Sequence, residues 1–209
     1  MSFISNIEQI RQQARQKIED GALTPDYQLN ADEAISILNE ALATEIVCTL
    51  RYRFHHFMAT GIHSKAVADE FLEHANEEQE HADRIAERIK QLGGKPEMNP
   101  AVIAKTSHTD FTEGSTISEM LKENLIAERI AIVTYREIVG YFGEKDPTSR
   151  RMIEDILAVE EEHADDLADL LFAMEPDGKQ VQRLYYKDEI PGASNAGTAV
   201  KAAAVQNAK

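Results

Sequence analysis

The sequence predicts an all-α protein. It reads as a four-helix bundle with a long crossover between its second and third helices, a short N-terminal helix ahead of it and a flexible C-terminal tail behind. Three observations carry that expectation. Apolar residues recur at steps of three and four through four long stretches. The connections between those stretches are short, long and short again. Within each stretch the apolar stripe is broken by a glutamate or histidine at a repeated position. The division is residues 1–30 for the leading helix and connection, 31–174 for the bundle and 175–209 for the tail.

Residues 1–20 read as a short amphipathic helix, with Ile4, Ile7, Ile10, Ala14 and Ile18 on one stripe and Gly21 as its stop. Gly21, Pro25, Asp26 and Asn30 mark the connection that follows. The first bundle helix starts at Asn30, a capping residue with Glu33 three positions on. Ile35, Leu38, Leu42, Ile46, Leu50 and Phe54 form its stripe, and Gly61 closes it. The second runs from Ser64 to Gly93-Gly94 on Val67, Phe71, Ala75, Glu78, Ala82, Ile85 and Ile89. Glu78 interrupts that stripe, and a buried carboxylate needs a partner.

Residues 93–115 read as a long connection, rich in Gly and Pro. A connection of that length can cross the bundle and reverse the direction of the next helix. Ser115 or Thr116 opens the third helix, with Glu119 completing Thr-x-x-Glu, and its stripe is Ile117, Leu121, Leu125, Glu128, Ile132, Tyr135 and Val139. Asp146-Pro147 opens the fourth as cap and first residue. Met152, Ile156, Val159, His163, Leu167 and Leu170 line its inner side to Met174. A weak segment, 181–189, precedes an Ala-, Gly-, Ser- and Asn-rich end that reads as disordered.

Composition narrows the function. The chain has 209 residues, 43% of them hydrophobic, enough for a packed core. There is no run of eighteen apolar residues, so no membrane span is expected. The N-terminus lacks an apolar signal region. Cys48 is the single cysteine, which excludes an intrachain disulfide framework and a cysteine-based zinc cluster and fits a cytoplasmic location. Net charge is −15, which argues against a surface that grips nucleic acid and suits the accumulation of cations.

The chemistry lies in the interruptions. The first stretch carries Glu45 and the third Glu128; the second carries Glu78-x-x-His81 and the fourth Glu160-x-x-His163. Residues three apart on a helix share a face, with Cβ atoms roughly 5–6 Å apart. Each pair can therefore aim a carboxylate and an imidazole at one point. Two lone glutamates and two Glu-x-x-His pairs are the ligand set of di-iron and di-manganese carboxylate bundles. The chain reads as a duplicated helical hairpin: Glu45 precedes Glu78 by 33 residues and Glu128 precedes Glu160 by 32. Glu-His-Ala-Asp occurs at 80–83 and again at 162–165. Tyr52 and Tyr135 each follow a lone glutamate by seven residues, which returns them to nearly the same helix face. They are expected near the site, either as core aromatics or as electron donors. Glu70, Glu73 and Glu77 form an acidic patch that either nucleates mineral or is a solvated face.

At these residues the chain resembles the ferritin-like superfamily, in its bacterioferritin and Dps-like branch. The stretch from Glu77 to Ile89, followed by Leu92-Gly93-Gly94, is similar to that family's second helix, and the stretch from Ala158 to His163 to its fourth. The likeness spans about residues 31–172. It implies a ferritin-like bundle holding two iron ions per subunit. Glu45 and His81 would bind one ion, Glu128 and His163 the other, with Glu78 and Glu160 bridging. It also implies that Tyr52 matches the tyrosine of bacterioferritins, an electron donor. Where bacterioferritin has a haem-binding Met after the second-helix ligand, this chain has Gln79, so no haem is expected. The fifth helix of large ferritin shells is not evident, which favours a homo-oligomeric dodecamer over a larger cage. The expected activity is oxidation of Fe(II) by dioxygen or hydrogen peroxide, with Fe(III) stored in the shell. A di-iron oxidase or peroxidase without storage is the main alternative. A Dps-like DNA-protecting shell is a further one, disfavoured by the acidic balance.

Overall fold

Three of the four long helices begin where a side chain takes up the free amides of the first turn. Asn30 accepts from the amides of Asp32 and Glu33, Thr116 from that of Glu119, and Asp146 from that of Ser149 at 2.9 Å. Glu119 answers by accepting at 2.8 Å from the amide of Ser115, one residue before the cap, a variant of the reciprocal capping pattern.

The computed structural model describes residues 6–61 and 64–174. Among them the order is α1 (Ile7–Gln13), α2 (Ala31–Met58), α3 (Ser64–Gln91), α4 (Pro100–Thr106), α5 (Ile117–Phe142) and α6 (Pro147–Met174), with a 3-10 turn at Ile18–Asp20. The expected four-helix bundle is therefore present as α2, α3, α5 and α6. None of these helices is long and apolar enough to cross a membrane. The tail 175–209 and the weak segment 181–189 lie outside the described residues.

Leu38 and Leu42 of α2, Ile85 and Ile89 of α3, Phe142 of α5 and Ile153 and Ile156 of α6 are fully buried in one cluster. Burying such side chains contributes about 1.5–3 kcal/mol each. The chain leaves α3 through Gly93, whose φ is +81°. The amide of Gly94 donates to the Ile89 carbonyl at 2.9 Å and that of Gly93 to Lys90 at 3.0 Å, a left-handed helix stop that favours glycine. A Cβ on Gly94 would lie 2.7 Å from Ile35, so this turn presses directly on α2.

The crossover then runs alongside α2. Asn39 bonds the backbone of Lys95 and Glu97, Thr44 meets His108, Arg51 donates to the Asp110 carbonyl, and His55 meets that of Thr112. The partners advance together, so α5 starts beside the C-terminal end of α2 and the two are antiparallel. Contacts of α3 with α6 run in opposite order, from Glu77–His163 to Arg84–Asp155 to Arg88–Ser149.

Three expectations need correction. The crossover contains a helix, α4, because Asn99 caps it and Pro100 occupies its first turn; its Ile103 packs on Ala43 and Val47. The helix expected over residues 1–20 reaches only from Ile7 to Gln13. None of its residues is buried, and a short helix without a packed face gains too little to extend. Leu50 is 55% exposed, since the inner face of α2 turns through Cys48, Tyr52 and His55.

Candidate metal centre

The bundle geometry brings Glu45, Glu78, His81, Glu128, Glu160 and His163 to one place, at most 4% exposed each. They fall into two overlapping groups. Glu45, Glu78, His81 and Glu160 each place one nitrogen or oxygen within 4.8 Å of the others, and so do Glu78, Glu128, Glu160 and His163. Glu78 and Glu160 belong to both.

His81 Nδ1 lies 3.0 Å from Glu160, 3.5 Å from Glu45 and 3.9 Å from Glu78. His163 Nδ1 lies 3.5 Å from Glu78 and 3.7 Å from Glu160. These atoms are close without being aligned as hydrogen bonds. Glu45 Oε2, Glu78 Oε1, His81 Nδ1, Glu128 Oε2, both oxygens of Glu160 and His163 Nδ1 are buried with no hydrogen-bond partner. Buried polar atoms that converge without a hydrogen-bond partner fit a cation. Donors 2.0–2.2 Å from a shared ion lie about 3.0–3.5 Å from each other. The mixed carboxylate and imidazole set suits iron or manganese.

Charge is balanced inside the cluster. Burial and the neighbouring Glu78 push the Glu45 carboxyl up to about 8. Burial, with Glu78 and Glu160, pushes Glu128 well above the usual carboxylate range. Glu78 and Glu160 go the other way: burial raises them, but contacts with the two imidazoles and a neighbouring carboxyl hold them below their ordinary value. Burial pulls His81 and His163 down, yet contact with Glu160 and the other carboxylates pushes both up to about 12. Without metal, protons on the imidazoles and on Glu45 and Glu128 neutralise the group. Metal ions would have to displace them.

Each tyrosine serves the opposite half. Tyr52 on α2 donates its hydroxyl to Glu128 on α5, and Tyr135 on α5 donates to Glu45 on α2. Both rings are fully buried. Burial and the carboxylates beside them push both phenols well above 10, so the protons stay on. His163 Nε2 donates to Glu77 at 2.8 Å, which leaves its Nδ1 facing the centre.

Several residues beside the centre escaped the sequence reading. His74, 2% exposed, stacks on His163 with ring centroids 4.0 Å apart and places Nδ1 3.3 Å from the Tyr52 hydroxyl. Burial and the His163 charge lower it to about 3, so it is neutral. Arg51, buried, donates to Asn124 at 2.9 Å, which also meets His55 at 3.2 Å. The available signal was spacing: His74 precedes Glu78, and Asn124 precedes Glu128, by one helical turn. Cys48 is a buried small residue against Arg51 and Thr109, its thiol pushed up by burial.

Known proteins are similar to this chain in sequence and fold. The family described as ferritin-like domain matches residues 35–175. A DNA protection during starvation protein of Pyrococcus furiosus is 29% identical over 138 residues, covering 65% of this chain and 75% of the relative. A bacterioferritin of Rhodobacter capsulatus is 31% identical, covering 64% of this chain and 79% of the relative. Among solved structures, a dodecameric thioferritin, the bacterioferritin-related protein of Bacteroides fragilis, superposes with a TM-score of 0.67 at 32% identity, covering 78% and 94% of the two chains.

Proposed function

The chain belongs to the ferritin-like domain family, and from that premise we propose that it oxidises Fe(II) at the buried centre and stores the Fe(III) inside a homo-oligomeric shell. The observation that carries this reading is the pair of four-residue groups sharing Glu78 and Glu160. Two cations held through shared carboxylates sit close enough to act on one oxidant. Iron is substrate and cargo here. Two Fe(II) ions give up two electrons, which with two protons take dioxygen to hydrogen peroxide or hydrogen peroxide to water.

The chain's own residues set up that chemistry. Glu78 and Glu160, ionised and buried, are the shared carboxylates. His81 and His163 complete one group each, with Glu77 fixing His163. Tyr135 and Tyr52 orient the lone glutamates Glu45 and Glu128. Tyr52 is the assigned electron donor, since its hydroxyl hydrogen already points at Glu128, which can take the proton when the ring is oxidised, and His74 Nδ1 can hydrogen-bond the oxygen left behind. Gln79 is exposed and bonded to Asp83 at 3.0 Å, and we assign no haem to this position. The assigned shell is a dodecamer, the assembly of the Bacteroides fragilis thioferritin. The DNA named for the starvation relative is not assigned as a partner, because a chain of net charge −15 repels phosphate.

The test is aerobic and peroxide-driven Fe(II) oxidation by the purified chain, followed by sizing of the product. The expected result is iron-bearing particles of twelve times the 23.4 kDa chain. A discrete dimer that oxidises iron but retains none would replace storage with a non-storing oxidase. Retarded migration of duplex DNA at physiological salt would restore the DNA-protecting role.

A further inference from the structure

A second group of potential donors stands beside the centre and is not part of it. Glu70 and His74 on α3 and Asp166 on α6 each place one nitrogen or oxygen within 4.8 Å of the others. His74 is buried, Glu70 half-buried and Asp166 exposed. The group therefore leads from the surface to the ring stacked on His163.

The direction of the hydrogen bonds gives His74 its orientation. The Tyr52 hydroxyl spends its hydrogen on Glu128. Its oxygen is then an acceptor toward His74 Nδ1 at 3.3 Å, so Nδ1 carries the ring hydrogen. Nε2 is left as a lone pair, and it faces Glu70 Oε1 at 3.5 Å. A nitrogen lone pair looking at a carboxylate is repulsive unless a cation or a proton lies between them. The 3.5 Å separation is long for a hydrogen bond and matches two donors on one ion, about 3.0–3.5 Å apart. Burial and the charges of Asp166 and Glu73 also raise the Glu70 carboxyl, the mark of acidic groups held together.

The duplicated half supplies an internal control. Glu78 and His81 correspond to Glu160 and His163 at an offset of 82 residues. At that offset Glu70, His74 and Asp166 correspond to Met152, Ile156 and Arg84. The bundle thus packs at its other end with a thioether, an aliphatic chain and a cation. Architecture alone does not call for three metal-binding side chains at this end.

We infer that Glu70, His74 and Asp166 form an auxiliary site for a borderline divalent cation, a third position per chain beside the buried centre. The nitrogen and two carboxylates suit Fe(II), Zn(II) or Mn(II). Its role as the step by which Fe(II) passes from solvent to the centre rests on the iron-oxidation reading; the binding itself does not.

Zn(II), which is redox-inert, is the probe. Full-length protein equilibrated with Zn(II) and washed should hold three ions per chain, and zinc-edge anomalous density should show one peak between His74 and Glu70. Glu70→Gln with Asp166→Asn alters two side chains outside the buried core and should leave two ions, both at the centre. Glu78→Gln with Glu160→Gln should leave one ion, at His74. Two central peaks alone, or the same count with and without Glu70→Gln/Asp166→Asn, overturns the inference and spares the iron-oxidation reading. A peak at His74 with none at the centre does the reverse. In iron oxidation, Glu70→Gln/Asp166→Asn should slow the initial rate several-fold at limiting Fe(II) and leave the saturating rate unchanged. Equal slowing at both concentrations sinks the entry role.

Discussion

The two ends of the bundle lie on either side of the same six residues and are filled differently. At an offset of 82–83 residues, Glu45, Tyr52, Glu78 and His81 correspond to Glu128, Tyr135, Glu160 and His163. Leu38 and Leu42 likewise correspond to Leu121 and Leu125, and Ala82 to Ala164. At other flanking positions the correspondence fails. Arg51 stands opposite Thr134, His55 opposite Ile138, Asn124 opposite Ala41 and His74 opposite Ile156. One end is a buried polar network completed by crossover carbonyls at Asp110 and Thr112. The other is packed by Ile138, Phe142, Ile153 and Ile156. The ligand positions keep their residue types because each must face the shared centre. The flanking turns have no such demand, and one end has taken up polar contacts while the other supplies apolar packing.

The largest effect should come from the residues common to both halves. Glu78→Ala and Glu160→Ala should each lower Fe(II) oxidation by on the order of 100-fold or more, since each removes a donor from both groups. Stopped-flow absorbance under air measures it. A variant oxidising iron at the parental rate would show that the shared carboxylates are not the site, and unequal losses would show that the halves are not equivalent.

Stability should separate the ends next. Phe142→Ala empties a fully buried position at the apolar end and should cost about 3–5 kcal/mol in urea unfolding. Asn124→Ala at the polar end removes the acceptor of Arg51 and His55 and should cost about 1–3 kcal/mol. The reverse order would mean that the polar network, not the apolar pack, holds the bundle.

The tyrosines are the finer comparison. Tyr52→Phe and Tyr135→Phe should both leave metal stoichiometry intact. Tyr52→Phe should slow turnover after the first oxidation round several-fold and remove any tyrosyl radical signal, whereas Tyr135→Phe should do less. Only Tyr52 has His74 within reach, so equal behaviour would strip that imidazole of its part.

The smallest change per step is with pH. Glu45 is raised from 4.5 to about 8 in the folded, metal-free chain, so over that window the folded state holds more protons than the unfolded one. Its stabilising effect is complete below pH 4.5 and is lost as pH rises through about 8. Glu128, His81 and His163 are raised too and act in the same direction. The melting temperature of chelated protein should therefore fall from pH 5 to pH 9, and added Mn(II) should reverse the trend by displacing the protons. A flat profile would mean that these carboxyls ionise alike in both states.

Much of this was legible in the chain and some of it was not. The helices, their caps at Asn30, Thr116 and Asp146, and the six candidate ligands follow from relations within a few residues. Helical geometry sets those relations: an i, i+3 pair shares a face wherever the helix goes. The seven-residue spacing placed Tyr52 and Tyr135 inward. It did not show that each hydroxyl crosses to the other half's glutamate, because that depends on the antiparallel register of α2 and α5. The sharing of Glu78 and Glu160, the stacking of His74 on His163 and the capture of Arg51 by the Asp110 carbonyl are likewise relations between distant segments. They are decided by how α4 and the crossover lie along α2 and by which faces pack, a balance of many non-local contacts. The first helix stopped short for the same reason in reverse: its stripe was real in the sequence, but no neighbouring surface buried it.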